Sequence, residues 1–316
     1  MPNWSTADIP RQTGRLVAIT GATGGLGLET ALALAGAGAD VMLTGRNAQK
    51  GAAALATIRA RHPAASVRYG HLDLASLASA REFAGQFAQA HAALDLLINN
   101  AGVMMLPKRQ TTSDGFELQF GTNYLGHFAL TERLLPLLRA ARQPRVVNLS
   151  SIAHKNGAAI HFDDLQWQRG YKPWSAYGQS KLAMLRFALE VQRRSDANGW
   201  GLLNNAAHPG YVLTDLIANG RGADGLLHAL NRLTLEPLLS QSAADGALPT
   251  LFAATAPNAK AAGYCGPTGF FELKGPPGAA QIARPARDQA AAARLWQISE
   301  ALTNARSPSA IEEQAS

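Results

Sequence analysis

The chain reads as an α/β protein, a doubly wound parallel sheet in a single domain with a helical substrate lid. Short apolar runs alternate with longer stretches of helical period from residue 16 to about residue 207. Each run is bounded by Gly, Pro, Asn or Asp, as strands between helices are. A glycine-rich turn also joins the first run directly to the first helical stretch.

Strands are expected over residues 16–20, 40–44, 67–72, 94–99, 145–150 and 202–206. Helices are expected between them, over 26–37, 49–61, 77–90, 116–139 and 176–194. Right-handed crossovers between parallel strands then cover the sheet on both faces. After His208-Pro209-Gly210 the pattern changes to a Leu/Ala-rich stretch with glycine interruptions, read as a lid over about 211–245. A last strand over 269–273, a closing helix over 287–303 and a polar, frayed tail over 305–316 complete the expectation. The core spans about residues 12–275, with the C-terminal helix and tail over 285–316.

Of the 316 residues, 47% are hydrophobic and 16% charged, which excludes disorder as a description of the whole. Lys and Arg number 29 against 22 Asp and Glu, a net charge of +7 that suits an anionic ligand such as a nucleotide phosphate. No long basic run lies beside stacking aromatics, so nucleic acid is not an expected partner. One cysteine, Cys265, excludes an internal disulfide and reads as a buried or loop thiol. No His/Cys cluster has zinc spacing, so no metal is expected. The N-terminus lacks a signal-peptide pattern and no stretch is apolar enough to span a bilayer, so a cytoplasmic protein is expected.

The turn Thr20-Gly21-Ala22-Thr23-Gly24-Gly25-Leu26-Gly27 follows a strand and opens a helix. Glycines let a pyrophosphate approach the backbone there, where orphan N–H groups and the helix dipole favour anions. The spacings Gly21/Gly25/Gly27 and Gly21/Gly24/Gly27 both fit dinucleotide turns. After the second strand comes Gly45-Arg46, where an acidic residue would bind a ribose 2′-hydroxyl. Arginine is shaped instead for a 2′-phosphate, so NADP(H) leads over NAD as the expected cofactor. Tyr177 and Lys181 stand at i and i+4 on one helical face. An ammonium beside a phenol lowers the phenol's pKa and makes it a general acid/base. Ser150 and Ser151 end the fifth strand, at the edge where doubly wound sheets bind ligands. Asp163-Asp164 reads as turn capping rather than a metal pair.

In this order the motifs resemble those of the short-chain dehydrogenase/reductases, a Rossmann-like family, over most of the chain. The resemblance rests on the turn at 20–27, Asn99-Asn100-Ala101-Gly102, Asn123, Ser151, Tyr177/Lys181 and Pro209-Gly210. Asn99-Asn100-Ala101-Gly102 is unlike the extended, epimerase-like branch and settles the turn spacing. Asn123-Tyr124-Leu125-Gly126-His127-Phe128, Ser150-Ser151-Ile152-Ala153-His154 and residues 176–183 are similar to the branch of retinol dehydrogenases and protochlorophyllide reductases.

The resemblance implies a catalytic set of Asn123, Ser151, Tyr177 and Lys181. In it Ser151 polarises a carbonyl, Lys181 also holds the ribose, and Asn123 holds a relay water. It implies cofactor contacts from Gly21, Thr23, Gly25, Leu26, Gly27 and Arg46, then from Asp73, Leu74, Asn99, Ala101 and Gly102. At the nicotinamide end it implies Tyr177, Lys181, Pro209, Gly210, Val212 and Thr214. Ser151, His154, Tyr177 and Tyr211 are the expected substrate contacts.

Two features depart from the branch. Thr23-Gly24 stands where Asn-Thr is usual, and Ser151 and Tyr177 are 26 positions apart, about twice the common spacing. Residues 104–115, 153–175 and 211–245 are expected to line the pocket, with Met104, Phe162, Trp167, Trp174 and Tyr211 giving it an apolar character. The expected activity is hydride transfer between nicotinamide and a bulky, apolar carbonyl or alcohol, in a chain that a homo-oligomer would also accommodate. Two alternatives stand beside it: an NADP-binding redox-sensing or scaffold module without turnover, and a reductase of a carbon–carbon double bond.

Overall fold

The structure is a computed structural model and describes residues 4–212 and 240–306. Eight strands form one sheet in the order β3-β2-β1-β4-β5-β6-β7-β8. They are β1 (Leu16–Ile19), β2 (Asp40–Gly45), β3 (Val67–His71), β4 (Leu96–Asn99), β5 (Arg145–Leu149), β6 (Leu203–Ala207), β7 (Tyr264–Pro267) and β8 (Pro277–Ala279). All neighbours pair in parallel except β8, which runs antiparallel to β7. Chain order reverses between β1 and β4, and the crevice at such a switch point is where this architecture takes its ligands. The sheet thus bears out the doubly wound, Rossmann-like expectation for a single domain.

Seven helices of the described residues flank it: α1 (Gly25–Gly36), α2 (Ala48–Arg61), α3 (Leu77–Ala90), α4 (Gly126–Ala140), α5 (Pro173–Asn198), α6 (Ala243–Thr255) and α7 (Gln289–Thr303). Their starts follow from local chemistry. Asn47 accepts the Lys50 N–H, Ser76 the Ser79 N–H and Asp288 the Ala291 N–H, each capping a first turn. Helix α3 buries Ala80, Phe83, Ala84 and Phe87, the i, i+3, i+4, i+7 stripe of a surface helix. Proline opens α5 and Gly199, at φ 63°, closes it.

Alternating side chains send the strands into two cores. On β1, Val17 and Ile19 pack with Leu32, Leu34 and Leu251 of α1 and α6, while Ala18 faces the opposite core. That second core holds Phe83, Phe128 and Phe187, with Trp296 of α7 stacked on Phe187 at 5.8 Å. Between the layers a polar ladder crosses three strands. Asn99 Nδ2 donates to Asn148 Oδ1 at 2.9 Å, and Asn148 Nδ2 donates to Asn204 Oδ1 at 3.0 Å. Among the described residues no helix is long and apolar enough to cross a membrane.

Three expectations are corrected. The helix expected over 116–139 is present but not uniform: Glu117 caps its start at Leu118, and a π-helical turn over Gly121–Leu125 precedes α4. The strand expected over 269–273 is a tight turn, because Phe271 and Glu272 sit at φ 49° and 58°, outside any strand conformation. The strands at that edge are β7 and β8 instead; Cys265, read as a buried or loop thiol, is buried in β7. Within the expected lid, residues 243–245 start α6 and residues 213–239, with Thr214, lie outside the described residues.

Replacing Asn148 by leucine should therefore be costly. It strips Asn204 Oδ1 of its partner and leaves Asn99 Nδ2 with Thr131 Oγ1 alone, at about 1–3 kcal/mol for each buried N–H or oxygen left unpaired. Urea unfolding of Asn148→Leu is expected to show that loss with an unchanged slope.

Candidate active site

The site grows from the carboxyl edge around β1, β4 and β5. Gly21 and Gly25 take φ of 64° and 51°, and Gly24 caps α1 without a side-chain hydrogen bond. A Cβ on Gly27 would stand 2.5 Å from the Gly21 carbonyl, and one on Gly21 would stand 2.9 Å from Ala101. Only glycine lets the turn fold this closely onto the loop after β4. Thr23 lies against Gly45, where a Cβ would meet its methyl at 2.9 Å, and exposed Arg46 follows directly. Glycine backbone, a helix N-terminus and an exposed arginine fit a dinucleotide carrying a 2′-phosphate. At the end of β3, Asp73 Oδ1 accepts the Ala75 N–H at 2.9 Å and Leu74 is buried.

Thr20 ties this turn to the rest. Its hydroxyl oxygen accepts the N–H of Asn100 at 2.8 Å and of Ala101 at 2.9 Å. The hydroxyl proton then goes to His127 Nε2 at 2.8 Å, and His127 Nδ1–H donates to the Asn123 carbonyl at 2.9 Å. Asn123 lies in the π-helical turn, a distortion that gathers at functional sites. Its side chain accepts from Val103 N–H at 2.7 Å and donates to the Val103 carbonyl and Ser180 Oγ, each at 2.9 Å. A Cβ on Gly102 would sit 3.1 Å from Asn123 Oδ1 and 3.5 Å from Lys181 Nζ, so the bare glycine keeps these groups together.

Ser151, Tyr177 and Lys181 meet beside that glycine. Ser151 follows β5, accepts the Ala153 N–H at 3.2 Å and lies near enough to the Tyr177 hydroxyl to act on its pKa. Ser150 turns away to donate to the Lys181 carbonyl at 2.8 Å. Lys181 Nζ donates to the Leu149 carbonyl at 3.0 Å and stands 5.9 Å from the Tyr177 ring centre. Burial pushes the Tyr177 phenol up to about 12, with Ser151 pulling the other way, and pushes the Lys181 ammonium down to about 8. The sequence argument expected the ammonium to draw the phenol down; in this geometry burial outweighs it.

His154, expected on the substrate, is 1% exposed and spends both ring nitrogens on backbone. Nδ1–H donates to the Ser151 carbonyl at 2.6 Å, and Nε2 accepts from Ala283 N–H at 3.3 Å. It braces the serine loop instead. Phe162 and Trp167, expected in the pocket, pack inward: Phe162 lies against the core under Arg294, and Trp167 is buried against His161. Trp174 stays half-exposed, 6.0 Å from the Tyr177 ring. Asp164 accepts the N–H groups of Gln168 and Arg169, the capping role expected of it, while Asp163 pairs with Arg169 at the surface. A cavity of about 620 Å³ opens in this insert, between His161, Asp163, Trp167 and Lys172.

At the far side, Gly210 N–H donates to His208 Nδ1 at 3.2 Å, so His208 is neutral and its Nε2–H donates to Glu272 at 3.1 Å. Glu272 also takes Lys155 at 2.7 Å; although burial raises its pKa, these partners hold it at about 2. Tyr211 N–H donates to the Leu273 carbonyl, and Val212 bridges to Gln241. Thr20, His127 and Glu272 were not singled out from sequence. His127 stands inside a quoted motif, but Glu272 has no local signal, because its partners are distant in the chain.

A sequence profile described as short chain dehydrogenase matches residues 15–224. The chain belongs to this family. It is accordingly an oxidoreductase of the short-chain type, in the retinol-dehydrogenase-like branch. Human retinol dehydrogenase 13 is 42% identical over 98% of this chain and 89% of that protein. Mouse polyprenol dehydrogenase is 40% identical over 94% of this chain and 86% of its own length. The crystal structure of an uncharacterised protein from Mycobacterium paratuberculosis superposes with a TM-score of 0.79, at 41% identity, covering 97% of this chain and 99% of that one.

The buried histidines around the dehydrogenase site set its response to acid. Burial pushes His127 down to about 3 and His154 down to about 4. In the unfolded chain both bind protons below about 6.5. Their contribution to stability is thus whole above that pH and is lost as pH falls toward the folded values. At pH 5 each should cost about 2 kcal/mol. Urea midpoints should fall steeply between pH 6.5 and pH 4, and less so in His154→Gln.

Proposed function

We propose that the chain is an NADP(H)-dependent oxidoreductase that interconverts an apolar carbonyl compound and its alcohol, with Tyr177 as acid/base. The observation that carries this reading is Tyr177, buried beside Ser151 with Lys181 Nζ one helical turn away and 5.9 Å from its ring centre, at the carboxyl edge. When bound, the cofactor supplies the two electrons as a hydride. The backbone from Gly21 through Gly25 and Leu26 to Gly27 would hold its pyrophosphate, and Arg46 beside Thr23 its 2′-phosphate. Asp73 and Leu74 would face the adenine side, with Asn99, Ala101 and Gly102 beneath. Lys181 would hold the ribose, and Pro209, Gly210, Val212 and Thr214 the nicotinamide end.

The chain's own part is proton handling and orientation. A phenol pushed up to about 12 is protonated at neutral pH, so Tyr177 is set to give a proton to a carbonyl oxygen. Ser151 donates a second hydrogen bond to that oxygen and fixes its position. Asn123 holds the strip around Val103 against the helix that carries Tyr177 and Lys181. Retinol and polyprenol, named in the relatives, are both long apolar alcohols, and Trp174 and Tyr211 put aromatic surface beside the site.

Tyr177→Phe keeps the ring and removes the proton, so turnover should fall by about 10²–10⁴ while NADPH still binds. Steady-state rates on a panel of apolar aldehydes, with cofactor titration, check this; near-parental turnover would sink the reading. Arg46→Ala should weaken NADPH binding about tenfold to a hundredfold and leave NADH unchanged, since a charge-assisted contact is worth about 1.5–3 kcal/mol. Equal affinity of the parent for both cofactors would refute the 2′-phosphate role. Lys181 loses its charge as pH rises through about 8, so the reductive rate should decline on that side.

A further inference from the structure

The turn from β7 to β8 presents the two most exposed large hydrophobics of the described residues. Phe270 and Phe271 are 73% and 76% exposed, and their rings meet edge to face at 4.2 Å. This display is costly in backbone terms. Phe271 and Glu272 both take left-handed φ, a conformation strained for any residue but glycine. Anchors on every side offset that cost. The Glu272 carboxylate accepts from Lys155 at 2.7 Å, His208 at 3.1 Å and the Gln281 N–H at 2.9 Å. Tyr211 N–H holds the Leu273 carbonyl at 2.7 Å. The turn is pinned from three segments while the two rings stand in water.

Position adds meaning to the display. β7 runs parallel to β5 and β6, so its following turn lies at the carboxyl edge with Ser151 and Tyr177. Lys155, which anchors the turn, is four residues beyond Ser151. Exposed Arg284 and Arg287 follow the Gln281 anchor. The chain as a whole carries +7.

Size decides the occupant. Two phenylalanine side chains offer about 300–500 Å² together, against about 800 Å² per partner in a stable protein interface. An aromatic pair rimmed by cations suits instead the boundary of an anionic bilayer, where apolar side chains enter and Lys or Arg meets lipid phosphate. We propose that this turn docks the protein on an anionic lipid surface through Phe270 and Phe271, with Arg284 and Arg287 on the headgroups. Docked this way, the carboxyl edge faces the bilayer, the side on which an apolar alcohol or aldehyde arrives. That last consequence rests on the proposed activity; the docking itself does not.

The test is flotation of the purified full chain with vesicles of equal phosphatidylcholine and phosphatidylserine, beside phosphatidylcholine alone. The parent should float with the anionic vesicles only. Phe270→Ser/Phe271→Ser should lose about tenfold or more of that partition while keeping its melting temperature and its turnover of a water-soluble aldehyde. Failure of the parent to float, or equal flotation of the double variant, overturns the proposal. So does equal binding to both vesicle types, or a dimer that the double variant dissolves. If the double variant does not fold, Phe270→Trp with brominated lipid decides: added quenching supports insertion and none refutes it. Because flotation needs no turnover, an inactive protein that floats would sink only the oxidoreductase reading.

Discussion

One hydroxyl holds the site together. Thr20 has two lone pairs and one proton, and all three are committed: to Asn100, Ala101 and His127. Through them the glycine-rich turn after β1 is fastened to the loop after β4, and that loop to the π-helical turn carrying Asn123. Valine would match the shape and supply none of these bonds, leaving the Ala101 N–H and an imidazole nitrogen unpaired and Asn100 N–H with the Ile98 carbonyl alone. The direction of each bond is forced, since a threonine accepting two N–H groups has only its own proton to give. That fixes the neutral His127 tautomer and, in turn, the bond to the Asn123 carbonyl.

Burial governs the electrostatics more than charge pairing does. Tyr177 and Lys181 are each pushed toward the neutral form, the phenol upward and the ammonium downward. The apolar walls therefore pull apart two groups whose ordinary values, 10.0 for the phenol and 10.5 for the ammonium, lie close together. Glu272 is the counterexample nearby: two side-chain donors and a backbone N–H overcome its burial and keep it ionised. One edge of the sheet thus supports a near-neutral centre and a fixed charge side by side.

The parallel sheet was legible because each strand is a short apolar run closed by a turn residue, and the motifs sit where those runs end. What escaped reading depends on partners remote in the chain. β7 hides in Cys265-Gly266-Pro267, whose turn-like composition is overridden by pairing with β6 and β8. Phe270-Phe271 carries strand propensity but is bent by the anchors on Glu272. His154 lies three residues from Ser151, as a substrate contact would, yet Ala283 claims its second nitrogen. Tyr177 and Lys181 stood out by spacing, Ser151 by its place at a strand end, and the resemblance joined them; their burial, which sets the protonation of Tyr177 and Lys181, has no signature in the motif.

The π-helical turn at Gly121–Leu125 also acts on everything downstream of it. One extra residue in a helical turn rotates the following segment by about 100° relative to a continuous α-helix. Asn123 can therefore face the loop at Val103 while Phe128, Leu134, Leu135 and Leu138 of α4 all face the core. The two faces are out of phase by design of the insertion, and a single deletion there would force a choice between them. The length of this segment is therefore constrained along with its composition, since its five residues are all buried and the Asn123 side chain is fully engaged.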